Sequence, residues 1–421
     1  MKIIPNSRIL RAGFILLSAL FIFSCSTLKW ESTATDDRQM LSDISFLASN
    51  KLKGRTFGSP GEVKAGDYIA GRFQQLGLQP KGENGTWFQA LAVKNPNPHT
   101  VEFSKNSDST GLHGRNVIGF IDHKAPLTII LGAHYDHLGM GTFGSLGDGK
   151  PAIHNGADDN ASGVGMILEL AERLRANKNF NYLFIAFTGE ENGLWGSNYY
   201  TEHPTIDFKD VTAMLNFDMV GRLNPESKLA INGVGTSPGW PDLIKSSNTF
   251  GFDITSSESG IGPSDHSSFY VMDMPVLHFF SGSHEDYHKP SDDVDKINSA
   301  GMVRIANLVV AMISGINNKE KMQFTKTKDA DPSSSPKLEV TLGVLPDYLY
   351  DGAGLRLDGV RDGKPAQIAG MKKGDIITHM AGKDIKDIYA YMAVLGTFHK
   401  GDKIKVTALR GDKEMEFDIS F

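Results

Sequence analysis

Apolar positions recur along this chain with the two spacings that separate helices from strands. Residues 40–47 and 65–76 carry apolar side chains at helical spacing, and Gly77 stands where the second helix would be capped. From about Asn116, short β-rich runs (NVIGFI, LTIILGA, YLFIAF, VTAMLNF and MPVLHFF) alternate with helical segments such as 162–175. This alternation predicts an α/β domain, a three-layer sandwich with a mostly parallel or mixed sheet and helices on both faces.

The pattern changes after a last predicted helix at residues 299–316. Residues 317–337 are polar, charged and broken by prolines, which indicates a linker. Residues 338–421 then show short strand patterns, one helix near 388–395 and a closing hairpin with Gly411 and Asp412 near its turn. The chain therefore predicts a second, small β-rich domain.

Length and composition fit this division. The 421 residues suffice for a large domain and a smaller one, and 40% hydrophobic with 22% charged residues is typical of globular proteins. The net charge is −6, and no basic stripe with interleaved aromatic residues is present. We therefore expect no nucleic-acid partner.

The N-terminus has the composition of a targeting segment. A basic start precedes the apolar run 12–23, and Cys25, the single cysteine of the chain, follows directly after Ser24. The sequence IFSC is similar to a bacterial lipoprotein cleavage site, so residues 1–25 are predicted to be a signal peptide that ends at a lipidated Cys25. A lipid at one residue anchors a protein to a membrane, which predicts the bacterial cell envelope, with a periplasmic or surface-facing location. The alternative is an ordinary secretory signal with an incidental cysteine.

Side chains that bind metals or move protons follow four of the predicted strands, and a further carboxylate pair stands just before a predicted helix. These residues are His134 and Asp136, Glu190 and Glu191, Asp218, His288, and the pair in GADDNASG that includes Asp159. Ligands of open α/β sheets gather at the carboxyl ends of the strands, so we expect these side chains to converge on one cleft.

Two histidines with aspartate and glutamate form a nitrogen and oxygen ligand shell, which suits catalytic zinc or another divalent ion. Three carboxylates and one hydroxide balance two divalent cations, and a neutral cluster costs less to bury than isolated charges do. In the pair Glu190–Glu191, one carboxylate can bind metal while the other exchanges a proton with water and a leaving amine. Asp136 stands where it could accept the second ring N–H of His134.

Each piece by itself has an ordinary structural explanation. An HxD triplet is typical of surface turns, and adjacent glutamates are typical of a solvated helix face. His137, His154, His266 and His284 are expected to be structural or solvent-facing, and His278, inside an apolar strand, to be a satisfied core residue. Only the joint pattern favours a metal site.

Six motifs in order resemble those of metallopeptidase family twenty-eight, the co-catalytic zinc aminopeptidases, whose relatives include glutamate carboxypeptidase, the transferrin receptor and glutaminyl cyclase. The motifs are AHYDHLG, GADDNASG, FTGEENGLWGS, NFDMVG, SDHSSF and DYHKPSD, spread between residues 133 and 292. The resemblance covers residues 37–316, which we take as the predicted catalytic domain. It implies two zinc ions, or other divalent ions: one on His134 and Asp218, the other on Glu191 and His288, with Asp159 bridging them.

The resemblance also implies roles in the reaction. Glu190 would be the general base and acid, and Tyr287 resembles a tyrosine that stabilises the oxyanion in some members, although a packed tyrosine beside a ligand is the alternative. The family often has a cis peptide after the bridging aspartate, here Asp159–Asn160.

The C-terminal segment has a resemblance of its own. TLGV (341–344) and PAQIAGMKKGDIIT (365–378) are similar to a PDZ domain of the bacterial protease-associated type. The backbone of Leu342, Gly343 and Val344 would then receive the C-terminus of a protein or peptide, which adds as a strand to the sheet edge. The alternative is a small β domain that only packs on the catalytic one.

The function implied is zinc-dependent removal of N-terminal residues from peptides. A carboxypeptidase or dipeptidase on the same scaffold would need a cationic pocket. Arg222, directly after NFDMVG, could contribute to one but has an equally good structural explanation. Glutaminyl cyclase, a branch that uses one metal, and a non-catalytic peptide-binding protein remain further alternatives; five intact ligand positions and an intact Glu190 count against them.

Overall fold

The structure is a computed structural model that describes Met1 and residues 37–94, 103–104, 111–141, 144–327, 340–347, 350, 352–361 and 363–421. Residues 2–25 of the predicted signal peptide, including Cys25, and residues 328–337 of the predicted linker lie outside these residues. Within the described part, none of the helices is both long and apolar enough to cross a membrane.

A ten-stranded mixed sheet forms the first and larger part of the fold. Its order is β3-β2-β4-β6-β5-β7-β10-β8-β9, with β1 paired to β4. The strands are β1 (Gln79–Pro80), β2 (Phe88–Val93), β3 (Phe103–Ser104), β4 (Leu112–Ile121), β5 (Thr128–His134), β6 (Asn181–Phe187), β7 (Val211–Phe217), β8 (Lys228–Asn232), β9 (Asp253–Ser257) and β10 (Val276–Phe280).

The four central strands, β6, β5, β7 and β10, run parallel to one another, so their carboxyl ends share one edge of the sheet. All seven residues of β5 are buried, which explains why the sequence shows a continuous apolar run there instead of an alternation. All five strand candidates of the sequence are strands, which confirms that part of the prediction.

Helices cover both faces of this sheet, as predicted. They are α1 (Arg38–Leu47), α2 (Pro60–Gln75), α3 (Gly163–Leu174), α4 (Trp195–Glu202), α5 (Trp240–Ser247), α6 (His266–Tyr270) and α7 (Ser299–Gly315). Successive residues of β5 point to opposite faces: Ile129 and Leu131 belong to the hydrophobic cluster under α1, α2, α3 and α7, whereas Ile130 packs with Tyr200 of α4 and Phe269 of α6.

Local sequence signals fix the ends of α2. The Ser59 hydroxyl accepts the backbone N–H of Glu62 at 3.1 Å, Pro60 occupies the first turn, and Gly77 after the helix has a φ of +75°. The chain can therefore turn directly from α2 into the sheet.

The C-terminal residues form a second sheet, of order β11-β12-β13-β15-β16 with β14 paired to β13, and it has a hydrophobic core of its own. Its strands are β11 (Val344–Pro346), β12 (Leu355–Val360), β13 (Ile376–Met380), β14 (Lys383–Asp384), β15 (Lys403–Arg410) and β16 (Lys413–Ser420), and its helices are α8 (Pro365–Ile368) and α9 (Ile388–Leu395). All its described pairings are antiparallel, and the predicted helix and hairpin are both present.

Candidate metal centre

The five predicted ligand side chains meet at the shared carboxyl edge of the central strands. His134 is the last residue of β5 and Asp218 directly follows β7, while Glu191 lies four residues beyond β6. Asp159 comes from the turn before α3, and the Asp159–Asn160 peptide bond is cis, as the resemblance implied. His288 arrives on the loop after β10 with a φ of +55°.

One group of donor atoms surrounds the ring of His134. Its Nε2 lies 3.3 Å from Asp159 Oδ1, 3.4 Å from Asp218 Oδ1 and 3.8 Å from Glu190 Oε2. A tetrahedral zinc ion with bonds of roughly 2.0–2.1 Å separates its ligand atoms by about 3.3 Å. The distances from His134 Nε2 to Asp159 and to Asp218 therefore match the spacing of ligand atoms around one cation.

A second group surrounds the ring of His288. Its Nε2 lies 3.1 Å from Asp159 Oδ2 and 3.3 Å from Glu191 Oε2. Asp159 thus turns one carboxylate oxygen to each group, which is the arrangement of a bridging ligand. The donor set fits two divalent ions.

The other ring nitrogens of both histidines face main-chain carbonyls. His288 Nδ1 donates to the oxygen of Gly144 at 2.9 Å, and His134 Nδ1 lies 3.3 Å from the oxygen of Asp136. Metal-binding histidines usually hold the second ring N–H in this way. The Asp136 carboxylate, expected to be that acceptor, is 3.6 Å away, and it accepts the backbone N–H of Glu190 at 3.1 Å.

The two adjacent glutamates have different environments. Burial raises the pKa of Glu190 well above its ordinary value, and the carboxylates of Asp218 and Glu191 add to this effect. Burial would also raise the pKa of Glu191, but the charge of His288 and hydrogen bonds from His137 and His288 lower it to about 2. Glu190 therefore tends to hold a proton, while Glu191 stays ionised.

Sequence reasoning assigned no role at the site to three residues that organise it. His137, expected to be structural or solvent-facing, is buried and its Nδ1 lies 2.7 Å from Glu191 Oε1. The Asp292 carboxylate accepts the backbone N–H groups of Asp158 and Asp159 at 3.0–3.1 Å. No local pattern marked these contacts, because the partners are 54 to 134 residues apart.

Arg55 is the third, and its side chain is 1% exposed. Its guanidinium donates to the main-chain oxygens of Tyr135 at 2.8 Å, Asn155 at 2.6 Å and Gly156 at 3.0 Å, and also to that of Leu47. One side chain thus ties the segment after His134 to the turn that carries Asp159.

An open cavity of about 500 Å³ lies over the two groups of donors. Besides the ligand side chains and Glu190, it is lined by Met219, Pro263, His278, Phe280, Ser283 and Tyr287. The Tyr287 ring stacks on His288 with 3.9 Å between ring centroids. No arginine or lysine occurs among the described residues that line the cavity, and Arg222 is paired with Asp286 at 3.2 Å.

His278 departs from its prediction. It is buried in β10 as expected, but neither ring nitrogen has a hydrogen-bond partner, so it is not a satisfied core residue. The sequence pattern predicted that His278 is buried, but it could not predict that its ring nitrogens lack hydrogen-bond partners.

In the C-terminal sheet, Leu342, Gly343 and Val344 precede or begin the edge strand β11. The Leu342 side chain is fully buried in the domain core, and Gly343 has a φ of +75°. A Cβ at Gly343 would lie 2.3 Å from Lys364 Cβ, so the loop requires glycine there.

Comparisons with known proteins agree with this architecture. The model of peptidase family M28 matches residues 116–313, and that of the PDZ domain matches residues 322–421. Aminopeptidase YwaD of Bacillus subtilis is 29% identical over 244 residues, which cover 55% of this chain and 50% of that protein, so the chain spans about half the length of this curated relative.

Two solved structures show the same fold at low identity. A Zn-dependent exopeptidase from Parabacteroides distasonis is 16% identical with a TM-score of 0.54, and a glutaminyl cyclase from Bacteroides thetaiotaomicron is 18% identical with a TM-score of 0.53. Each match covers 67% of this chain and 98% of the other. Residues 116–313 are therefore similar to peptidase family M28, and residues 322–421, C-terminal to them, are similar to the PDZ domain.

Proposed function

We propose that this protein is a two-zinc aminopeptidase that removes N-terminal residues from peptides. The observation that carries the proposal is the spacing of donor atoms around Asp159, whose two oxygens lie 3.3 Å from His134 Nε2 and 3.1 Å from His288 Nε2. In this proposal His134 and Asp218 hold one ion, Glu191 and His288 hold the other, and Asp159 bridges them.

Bound there, the two zinc ions would supply Lewis acidity toward a water molecule and the scissile carbonyl group. The protein's own contribution to proton transfer is Glu190, which takes a proton from the attacking water and returns it to the leaving amine. The hydrogen bond from its backbone N–H to Asp136 fixes its position, and its raised pKa suits the acid half of this cycle. The Tyr287 hydroxyl is proposed to donate to the developing oxyanion, because its ring lines the cavity next to His288.

The lining of the cavity favours an aminopeptidase over a carboxypeptidase. A carboxypeptidase needs a cation that binds the substrate carboxylate, and the described lining contains no arginine or lysine. Arg222, the neighbouring cation of the sequence, is engaged with Asp286.

Two further proposals concern the rest of the chain. The edge strand β11 pairs with β12 alone among the described strands, so its outer side can accept a peptide strand that ends at the loop Leu342–Val344. Cys25 is proposed to carry the lipid that anchors the protein in the bacterial cell envelope.

The test uses the purified mature protein with pairs of peptides that differ only in a free or acetylated N-terminus. We expect cleavage of the free-amine peptides alone, loss of activity after chelation and dialysis, and recovery when zinc is returned. Equal cleavage of acetylated peptides would exclude an aminopeptidase, and full activity after metal removal would exclude the metal mechanism. Ammonia release from an N-terminal glutamine peptide without loss of the residue would favour the cyclase alternative.

A further inference from the structure

A second open space, of about 560 Å³, is lined by both domains of the protein. The large domain with the ten-stranded sheet contributes residues that include Glu226, Lys228 and Ser283, and the C-terminal domain contributes Asp347, Arg356 and Asp358. Ser283 also lines the cavity over the metal ligands. The two spaces, which we call the interdomain pocket and the metal cavity, therefore meet at this one small side chain.

The chain that leads to the C-terminal domain is bound to the large domain. Residues 317–327, the first part of the predicted linker, lie along it: the backbone N–H of Met322 donates to the Thr212 hydroxyl at 2.9 Å, and that of Thr327 donates to the Tyr270 hydroxyl at 2.9 Å. The C-terminal domain is thus tethered to the large domain by no more than residues 328–339.

The edge strand β11 gives a bound peptide its direction. The backbone N–H of Arg361 donates to the oxygen of Gly343 at 2.7 Å, and because successive residues of a strand alternate, the backbone groups of Val344 face the outer side. The loop Leu342–Val344, proposed above to receive a peptide C-terminus, lies at the start of β11, and Asp347 directly follows its end. A peptide that ends at this loop and lies along β11 must therefore run back toward Asp347.

Asp347 is also a lining residue of the interdomain pocket. The preceding residues of such a peptide therefore enter this pocket and, past Ser283, reach the metal cavity. The end of the peptide that arrives there is its N-terminus, which is the end that an aminopeptidase cleaves.

We infer that a single peptide substrate spans both sites, with its C-terminus at the loop Leu342–Val344 and its N-terminal residue in the metal cavity. This inference rests on the proposed aminopeptidase function and goes beyond it by naming the substrate class. The substrates are peptides with two free ends that are long enough to reach from one site to the other.

The required length follows from the two spaces and the strand. At about 3.3 Å per residue, open spaces of about 500 and 560 Å³, each roughly 10 Å across, hold about six extended residues, and β11 pairs with about three more. A peptide of roughly nine residues or more therefore binds at both ends. A tetrapeptide reaches only one of them.

The lining of the interdomain pocket is polar throughout its described residues. Arg356 Nε donates to Asp347 Oδ2 at 2.6 Å, and Lys373 Nζ lies 3.7 Å from Asp358 Oδ1, so carboxylates there have cations beside them. Such a lining suits the main chain of a passing peptide and offers no apolar site for one particular side chain. We therefore expect selection by length and by the free carboxyl end, with little dependence on the middle residues.

The experiment compares peptides of four, eight and twelve residues that begin with leucine and end in valine, phenylalanine or alanine, each as the free acid and as the C-terminal amide. For twelve residues we expect kcat/KM of the best free acid to exceed that of its amide about tenfold or more, because binding at two linked sites raises the affinity. The difference should lie in KM, since the C-terminus is bound alike in the ground state and the transition state. The two four-residue forms should be cleaved equally well.

Two variants of the full chain separate the route from the terminal site. Glu226 is exposed and lines the interdomain pocket without lining the metal cavity, so Glu226→Trp fills the pocket, and Glu226→Gln is its size-matched control. Val344→Pro removes the outward N–H of β11 and leaves the bond between Arg361 and Gly343. Glu226→Trp and Val344→Pro should abolish the advantage of the twelve-residue free acid and leave cleavage of the tetrapeptide unchanged. Circular dichroism verifies that each variant is folded.

Equal kcat/KM for the acid and the amide at twelve residues, whatever the last residue, would overturn the inference while the aminopeptidase function stands. Parental cleavage of the twelve-residue acid by folded Glu226→Trp would overturn the route through the interdomain pocket. If no peptide is cleaved, the proposed function fails. Calorimetry of the twelve-residue acid with zinc-loaded protein then decides the inference separately: weaker binding by Glu226→Trp than by Glu226→Gln supports it, and equal binding counts against it.

Discussion

Replacing His137 with phenylalanine tests how the second group of donors is held together. His137 Nδ1 lies 2.7 Å from one oxygen of Glu191, and the other oxygen of the same carboxylate lies 3.3 Å from His288 Nε2. The histidine thus occupies one oxygen of Glu191 and leaves the other for a cation. The rings of His137 and His288 also meet edge to face at 5.9 Å, a contact that phenylalanine can keep.

The size of the effect follows from this one hydrogen bond. A hydrogen bond to a charged group contributes about 1.5–3 kcal/mol, and loss of a residue that orients a metal ligand lowers affinity about 10- to 100-fold. We therefore expect His137→Phe to raise the dissociation constant of one of the two proposed zinc ions by that factor. The other ion, on His134 and Asp218, should be bound nearly as before.

Zinc binding would be measured by titration against a competing chelator, with metal content counted independently. His137→Gln is the informative second variant, because its amide can donate to Glu191 but cannot replace an imidazole as a metal ligand. His154→Gln is the matched control, since His154 is equally buried but bonds to Ser145 and the oxygen of Ala152.

The possible outcomes separate the roles of His137. Wild-type affinity for both ions in His137→Phe would refute the argument that this hydrogen bond orders Glu191. Equal losses in His137→Phe and His137→Gln would mean that the imidazole itself binds the ion. Near-normal affinity in His137→Gln would support orientation through the hydrogen bond.

The remaining predictions concern proton transfer, stability and pH. Glu190→Gln should keep both metal ions and lose about 10²- to 10⁴-fold in kcat, and a variant as fast as the parent in a peptide assay would refute its role. Arg55→Met leaves several buried carbonyl oxygens without a donor and should lower the free energy of unfolding by about 3–5 kcal/mol in urea titrations; a loss below about 1 kcal/mol would contradict this. Burial would raise the pKa of Asp286, but hydrogen bonds from Lys296 and Ser291 outweigh it and lower the pKa to about 2. The stabilisation by this carboxylate should therefore be fully present above about pH 4 and disappear as the pH falls to 2, so Asp286→Asn should differ from the wild type in thermal unfolding at pH 6 and converge with it near pH 2.

The sequence allowed the sheet to be predicted because its central strands are buried on both faces. Such strands are continuous apolar runs, and each run ends at the first polar side chains of the sequence. His134 and Asp218 are the first chemically active side chains at two of these ends. The sequence alone therefore predicts where this edge of the sheet lies and which side chains at it are candidate ligands.

The contacts that hold those ligands could not be predicted in the same way. Arg55 reaches carbonyls 80 to 101 residues ahead, and its own segment, KLKGR, has the composition of an ordinary surface turn. His278 is a second example of a contact that the sequence could not predict. Its apolar neighbours correctly indicated burial, but whether a buried ring has a partner depends on strands and helices that only the fold brings next to it.

The balance of buried charge around the candidate metal centre favours the binding of cations. Within the described part of the chain, Arg55 is the only buried arginine or lysine, whereas buried carboxylates gather around it and the donor groups. They are Asp136, Asp158, Asp159, Asp218, Asp265 and Asp292. Burial raises the pKa of Asp265 to about 7 and that of Asp292 to about 6, so protons neutralise some of this charge. Asp159 and Glu191 have pKa values below the ordinary range, since the charges and hydrogen bonds of neighbouring histidines outweigh their burial, and they remain ionised. Asp159 and Glu191 therefore stay charged where their oxygens have the spacing of metal ligands, and divalent cations are the counter-charge that this spacing fits.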